Sequence, residues 1–210
     1  MTDHDALIDG LSGHLRPVTR PLPAGVRAWL WLVLALPAGW LATWLLPRHL
    51  TDWSRPGAVW AVLGLALSLA AAAGAMRAAM ASSIAGRGVP QGALLAVAGL
   101  GWLGANVMGT LSLAQPWGEP GSGWYCYTFV VLAGAPMIAL AIAAIRRTRA
   151  VRPERSLAYA GLAIAFGALS LLSFCHPVTE HAVDLMMHVA GGLTVVGLTV
   201  LLGRRWVALA

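Results

Sequence analysis

Lysine is absent from this chain, and its 210 residues include only eight acidic ones. Charged residues of all kinds amount to 10%, against about 25% in a typical soluble domain. Hydrophobic residues reach 59%. A globule of this length has too little interior to hide that much apolar surface, which excludes an ordinary soluble enzyme. Disorder is excluded for the opposite reason, because disordered chains are poor in apolar residues. The two cysteines are too few for a disulfide framework. The sequence has no glycine-rich phosphate loop and no catalytic-triad pattern, so no catalytic residues are assigned and an enzyme is not expected. The first 25 residues hold no continuous apolar run of the kind a secretory signal needs.

The apolar residues fall into six runs, at about 28–46, 57–76, 92–114, 124–145, 157–174 and 184–202. A helix needs about 20 residues to cross a hydrocarbon core of roughly 30 Å. These runs show no period-2 alternation, so they predict helices and not barrel strands. The expected fold class is all-α, a polytopic membrane protein with six transmembrane helices. Its organisation reads as a leader over 1–26, a transmembrane domain over 27–205 and a tail over 206–210. Glycines in the third and sixth runs, with the alanines at 70–73 in the second, suit close helix approach. Pro37 and Pro136 predict kinks. Asn106 is the odd polar residue of the third run, and an interhelical hydrogen bond is its expected role. Ten of the aromatic residues are Trp, against three Tyr and three Phe, a bias that suits membrane interfaces.

All fourteen basic residues are arginine. Arg16, Arg20, Arg27, Arg77, Arg87, Arg146, Arg147, Arg149, Arg152, Arg155, Arg204 and Arg205 fall on one side of a six-span topology, and only Arg48 and Arg55 on the other. The positive-inside rule then predicts both termini in the cytoplasm. The arginines read as topology markers, and direct nucleic-acid binding is not expected.

The leader carries a short helical pattern. Leu7, Ile8, Leu11 and Leu15 make one apolar stripe, Asp3 is placed to cap it, and Gly13 and Pro17 end it. Its polar face holds Asp3, Asp5, Asp9, His4 and His14, which suits an anionic lipid surface poorly. The lipid surface remains the bland alternative. A groove on a soluble partner fits better.

Ligand-type residues gather at the predicted outer face. Cys126 opens the fourth span and Cys175 closes the fifth, so both lie on that side. The pair fits a disulfide staple, a thiol sensor of an oxidant or soft metal, or two unpaired thiols. His176 and Glu180 follow in the loop, and His181, Asp184 and His188 share a face of the sixth helix. By ligand type Cys126, Cys175, His176, His181, Asp184 and His188 suit transient zinc, cadmium or copper binding, without a resident cofactor. The alternative is that Asp184 and His188 are hydrogen-bonded packing groups. Bis-histidine haem ligation by His181 and His188 is disfavoured, because one helix cannot reach both faces of a haem.

Leu7-Ile8-Asp9-Gly10-Leu11, Leu15-Arg16-Pro17-Val18 and Arg27 in the first half, and Cys126, Pro136, Arg146-Arg147, Pro153 and Phe174-Cys175 in the second, resemble the NrsF-type (negative regulator of sigma F) membrane anti-sigma factors. The resemblance runs over the whole chain and implies a bacterial inner-membrane protein that holds an extracytoplasmic-function sigma factor. It implies that Leu7, Ile8, Asp9, Leu11, Leu15 and Arg16 bind this partner, and that Cys126 and Cys175 sense a periplasmic oxidant or heavy metal. The chain departs from the family after the second cysteine, where Cys-Pro-Glu-Asp is common. Here the run is Cys175-His176-Pro177-Val178-Thr179-Glu180. The competing expectation is a small membrane redox or metal-handling protein, an enzyme or transporter, that uses the same Cys/His cluster.

Overall fold

In hydrocarbon each backbone N–H and C=O must find a partner within the chain, and a continuous helix satisfies nearly all of them locally. The computed structural model describes residues 3–13, 21–47, 50–86, 92–112, 123–148, 150–178 and 181–207. Among them are seven α-helices: α1 (Asp3–Ser12), α2 (Ala24–Ala42), α3 (Ala58–Ser82), α4 (Gly92–Leu111), α5 (Trp124–Ile145), α6 (Pro153–Leu172) and α7 (Ala182–Val207). Short 3-10 turns extend α2 over Thr43–Leu45 and α5 over Arg146–Thr148. Six of the helices, α2 to α7, are long and apolar enough to cross a membrane. The chain is an all-helical, multi-pass membrane protein.

The helices overrun several of the boundaries expected from hydropathy. α3 continues six residues past the expected end at 76, so Arg77 lies inside a helix and not in a loop. α2 begins four residues early, directly after Pro23, and takes in Arg27. α7 runs on through Arg204 and Arg205. Alanine and methionine favour helix, and Ala79 and Met80 are fully buried against neighbouring helices, so the helix outlasts the apolar run. Pro37 and Pro136 lie inside α2 and α5, each of which continues past its proline.

α6 is the central helix. Its apolar window is 72% buried, against 28–44% for the other five. It packs against α3, α5 and α7 and touches α2, while α4 leans mainly on α3. Small residues permit this. Ala160, Gly161, Ala163, Gly167 and Ala168 are all buried, and a Cβ on Gly161 would meet the Val196 Cα of α7 at 2.7 Å. The lipid-facing sides carry exposed large residues such as Leu30, Val33 and Leu34 on α2 and Val97 and Leu100 on α4. Trp29 and Trp206 are exposed near the end of the bundle where α2 starts and α7 finishes, and Trp44 and Trp124 near the opposite end. Two tryptophan levels of this kind mark two membrane interfaces.

The end that holds the start of α2 is tied together by polar contacts. Arg27 donates to the carbonyls of Met80 and Ala144, each at 3.4 Å, in the last turns of α3 and α5. A cation there satisfies terminal carbonyls and complements both helix dipoles. The Ser82 and Ser156 hydroxyls are 3.0 Å apart, and Thr148 donates to Ser83 at 2.9 Å.

Because the atom facing Gly161 belongs to backbone, it cannot rotate away. Gly161→Val should destabilise the bundle by about 1–3 kcal/mol or more, read as a lower unfolding midpoint in detergent. Gly104→Ala, with nothing within 4 Å of the new methyl, should leave that midpoint unchanged or slightly raised.

Candidate functional site

At the other end of the bundle α6 closes, and the chain must turn back within about nine residues to start α7. The last turn of α6 tightens there. Phe174 N–H donates to Leu171 O at 3.2 Å and Cys175 N–H to Leu172 O at 2.8 Å, and Pro177 prevents further helix. Phe174 packs edge-on against Trp40 and Trp53. α7 then opens with one half of a capping box: His181 precedes the helix, and Asp184, three residues on, accepts its backbone N–H at 3.1 Å through Oδ2.

The turn is held by a residue the sequence did not single out. Thr51, in the loop between α2 and α3, places Oγ1 2.8 Å from Ser173 O and 2.6 Å from His176 O. The same oxygen accepts the His176 N–H at 3.2 Å, and Thr51 N–H donates to Phe174 O at 3.1 Å. A lone threonine in a loop gives no sequence signal, since its partners are backbone groups about 120 residues away. Beside it Asp52 accepts the hydroxyl and the backbone N–H of Ser54. These bonds, and to a lesser degree Arg55, hold its carboxyl below the usual carboxylate range.

This framework brings three side chains together. Cys126 from the first turn of α5, His176 from the turn after α6 and His188 from the second turn of α7 are all buried. One ligand-type atom from each lies within 4.8 Å of those of the other two. The two imidazole rings meet edge-to-face, with centroids 5.5 Å apart. Cys126 Sγ donates to Asp184 Oδ1 at 3.9 Å, and His181 Nδ1 lies 3.5 Å from Asp184 Oδ2. His176 Nδ1 is 2.9 Å from Pro177 O. A carbonyl can only accept, so that contact requires the proton on Nδ1 and leaves the lone pair on Nε2. A cavity of about 20 Å³, lined by Asn106, Ser173, His176 and His188 among others, adjoins the histidines. It has room for one water.

The six ligand-type residues expected from the sequence therefore divide. Cys126, His176 and His188 converge, Asp184 borders Cys126 and is bonded to His181 on its other side, and Cys175 is buried but not part of the cluster. The two cysteines are not joined by a disulfide. Asn106 differs from expectation: its amide donates to Trp102 O at 2.7 Å within its own helix instead of across to another. Of the partner-binding set, Leu7, Ile8, Asp9 and Leu11 lie on α1 and are exposed, the three apolar ones by 60–63%. Leu15 and Arg16 lie outside the described residues, as does Glu180.

Comparison with family models, with curated proteins and with solved structures yields no match to this chain. The site thus rests on its own geometry: a buried thiol and two imidazoles, backed by a carboxylate, at one end of a membrane bundle.

Thr51→Val removes the hydroxyl that serves the backbone of the α6–α7 turn. Leaving buried backbone groups unpaired costs about 1–3 kcal/mol. The variant should melt earlier in detergent, and Thr51→Ser should recover most of the loss.

Proposed function

We propose that the protein is an inner-membrane regulator, with both termini in the cytoplasm, that holds an extracytoplasmic-function sigma factor and releases it when its opposite face meets an oxidant or a heavy metal. The observation that carries this reading is α1. Residues 4–13 are all exposed, and Leu7, Ile8 and Leu11 present apolar surface on a helix outside the six-helix bundle. A ten-residue helix is marginal alone in water. An exposed apolar stripe backed by Asp5 and Asp9 suits a groove on a soluble protein better than an anionic leaflet. The resemblance of the leader and of Cys126 and Cys175 to the NrsF-type family supplies the class of partner. The orientation is supported by charge: Arg27, Arg77, Arg146, Arg147, Arg152, Arg155, Arg204 and Arg205 belong to the end where α2 begins, and Arg55 to the other.

A metal-handling role without a sigma factor is the second reading, favoured by the Cys126–His176–His188 cluster. Partner capture separates the two. Tagged full-length protein purified from its own cells should bring a sigma factor with it, and a preparation that brings none would favour metal handling.

Replacing Leu7 and Leu11 with Asp should abolish retention without loss of membrane insertion. Each buried leucine contributes roughly 1.5–3 kcal/mol, so the pair should cost about 100-fold or more in affinity. Retention by the double variant at wild-type strength would remove α1 from docking.

Orientation has its own check. A reporter active only in the periplasm should be silent when fused after position 210 and active when fused near position 119. The reverse pattern would place the cluster in the cytoplasm and defeat the regulatory reading.

A further inference from the structure

We propose that Cys126, His176 and His188 form a binding site for a thiophilic divalent cation of the zinc and cadmium class, with Asp184 as its supporting carboxylate and without Cys175. One sulfur and two imidazoles are a ligand set that zinc takes, commonly with a fourth position left to water. Their ligand atoms lie within 4.8 Å of one another. A tetrahedral ion with bonds of roughly 2.0–2.3 Å needs its ligands about 3.3–3.8 Å apart, a closure within reach of small side-chain rotations.

Three further observations fit a metal better than simple packing. His176 Nδ1 is engaged by the Pro177 carbonyl, which directs the lone pair to Nε2. Metal-binding histidines are commonly oriented in this way, by a backbone acceptor on the other ring nitrogen. The cavity of about 20 Å³ that His176 and His188 line, without Cys126, has room for one water. Charge also closes. The ion displaces the Cys126 proton, and the resulting thiolate with the Asp184 carboxylate, whose Oδ1 lies 3.9 Å from the sulfur, offsets a divalent cation. A buried ion needs such compensation.

The site joins the start of α5, the α6–α7 turn and the start of α7. As the input of a regulator it rests on the reading given above. As a metal site it stands without it.

The test uses the full-length protein in detergent, stripped with chelator and then given zinc alone. About one zinc per chain is expected. Losing a group that only supports a ligand costs about 10–100-fold in metal affinity, which is the loss expected for Asp184→Asn. Cys126→Ser and His188→Gln should each lose about 100-fold or more. Cys175→Ser should bind as the wild type does. Cobalt provides a readout that needs no variant, because the wild type should show thiolate-to-cobalt charge-transfer absorption. Absence of that absorption, undiminished zinc binding by Cys126→Ser, or loss of binding in Cys175→Ser would each overturn the site. Capture of the sigma factor with and without zinc forms a separate arm. Zinc binding that leaves capture unchanged would keep the site and defeat its regulatory link.

Discussion

The fold depends on how closely α6 is approached by its neighbours. A helix at the centre of a membrane bundle gains no hydrophobic energy from leaving lipid, so its stability there comes from packing. Small side chains let backbones come near enough for that. At Gly161 the α7 backbone sits where a side chain would begin, and Ala160, Ala163 and Ala168 are fully buried. α3, α5 and α7 can then all contact α6. Larger residues that are also fully buried, such as Met76, Met80, Phe129 and Met137, fill the rest of the interior.

Polar groups in such an interior must be satisfied cheaply, and most of them are satisfied within their own helix. Ser68, Thr110, Ser170 and Thr199 return their hydroxyls to carbonyls three or four residues back, and Asn106 does the same with its amide. These bonds tie no two helices together. Against that pattern the far end of the bundle differs. There Thr51, Cys126, His176, Asp184 and His188 meet across four segments of chain, and the contacts are long-range. Burying imidazole and carboxylate groups at a shared junction has a cost that local back-bonding avoids. The cost is borne where the chain also turns, at a junction where elements distant in sequence are already held together.

How much of this was legible beforehand follows from the range of the interactions. The six spans, the exposed stripe of α1 and the grouping of cysteine and histidine near one face follow from composition and local period, which the sequence records directly. The excess length of α3 was not legible, because its last turns are held by burial of Ala79 and Met80 against other helices. Nor was Thr51, whose partners are backbone groups of a remote turn. The ligand set was legible as a list of residue types but not as a geometry. Helical spacing put His181, Asp184 and His188 on one face, yet the half capping box turns Asp184 back onto His181. Only His188 of the three enters the cluster, where it meets residues from two other elements. Cys175, next in sequence to His176, is buried outside it.

The bundle's two ends are held in different ways. At one, Arg27 clamps the last turns of α3 and α5, and serine and threonine hydroxyls bind α3 to the start of α6 and to the turn after α5. Those contacts fix the helices to one another. At the other, Thr51 ties the α6–α7 turn through its hydroxyl and its backbone N–H, and beside it lie a thiol at the outer limit of hydrogen-bond distance from its carboxylate and a water-sized cavity. A cation at the site proposed above would join the start of α5, the α6–α7 turn and the start of α7 through Cys126, His176 and His188. α5 ends beside the carbonyl that Arg27 holds and α7 ends at Arg204 and Arg205, so the two helices that carry Cys126 and His188 also span the bundle to its opposite end.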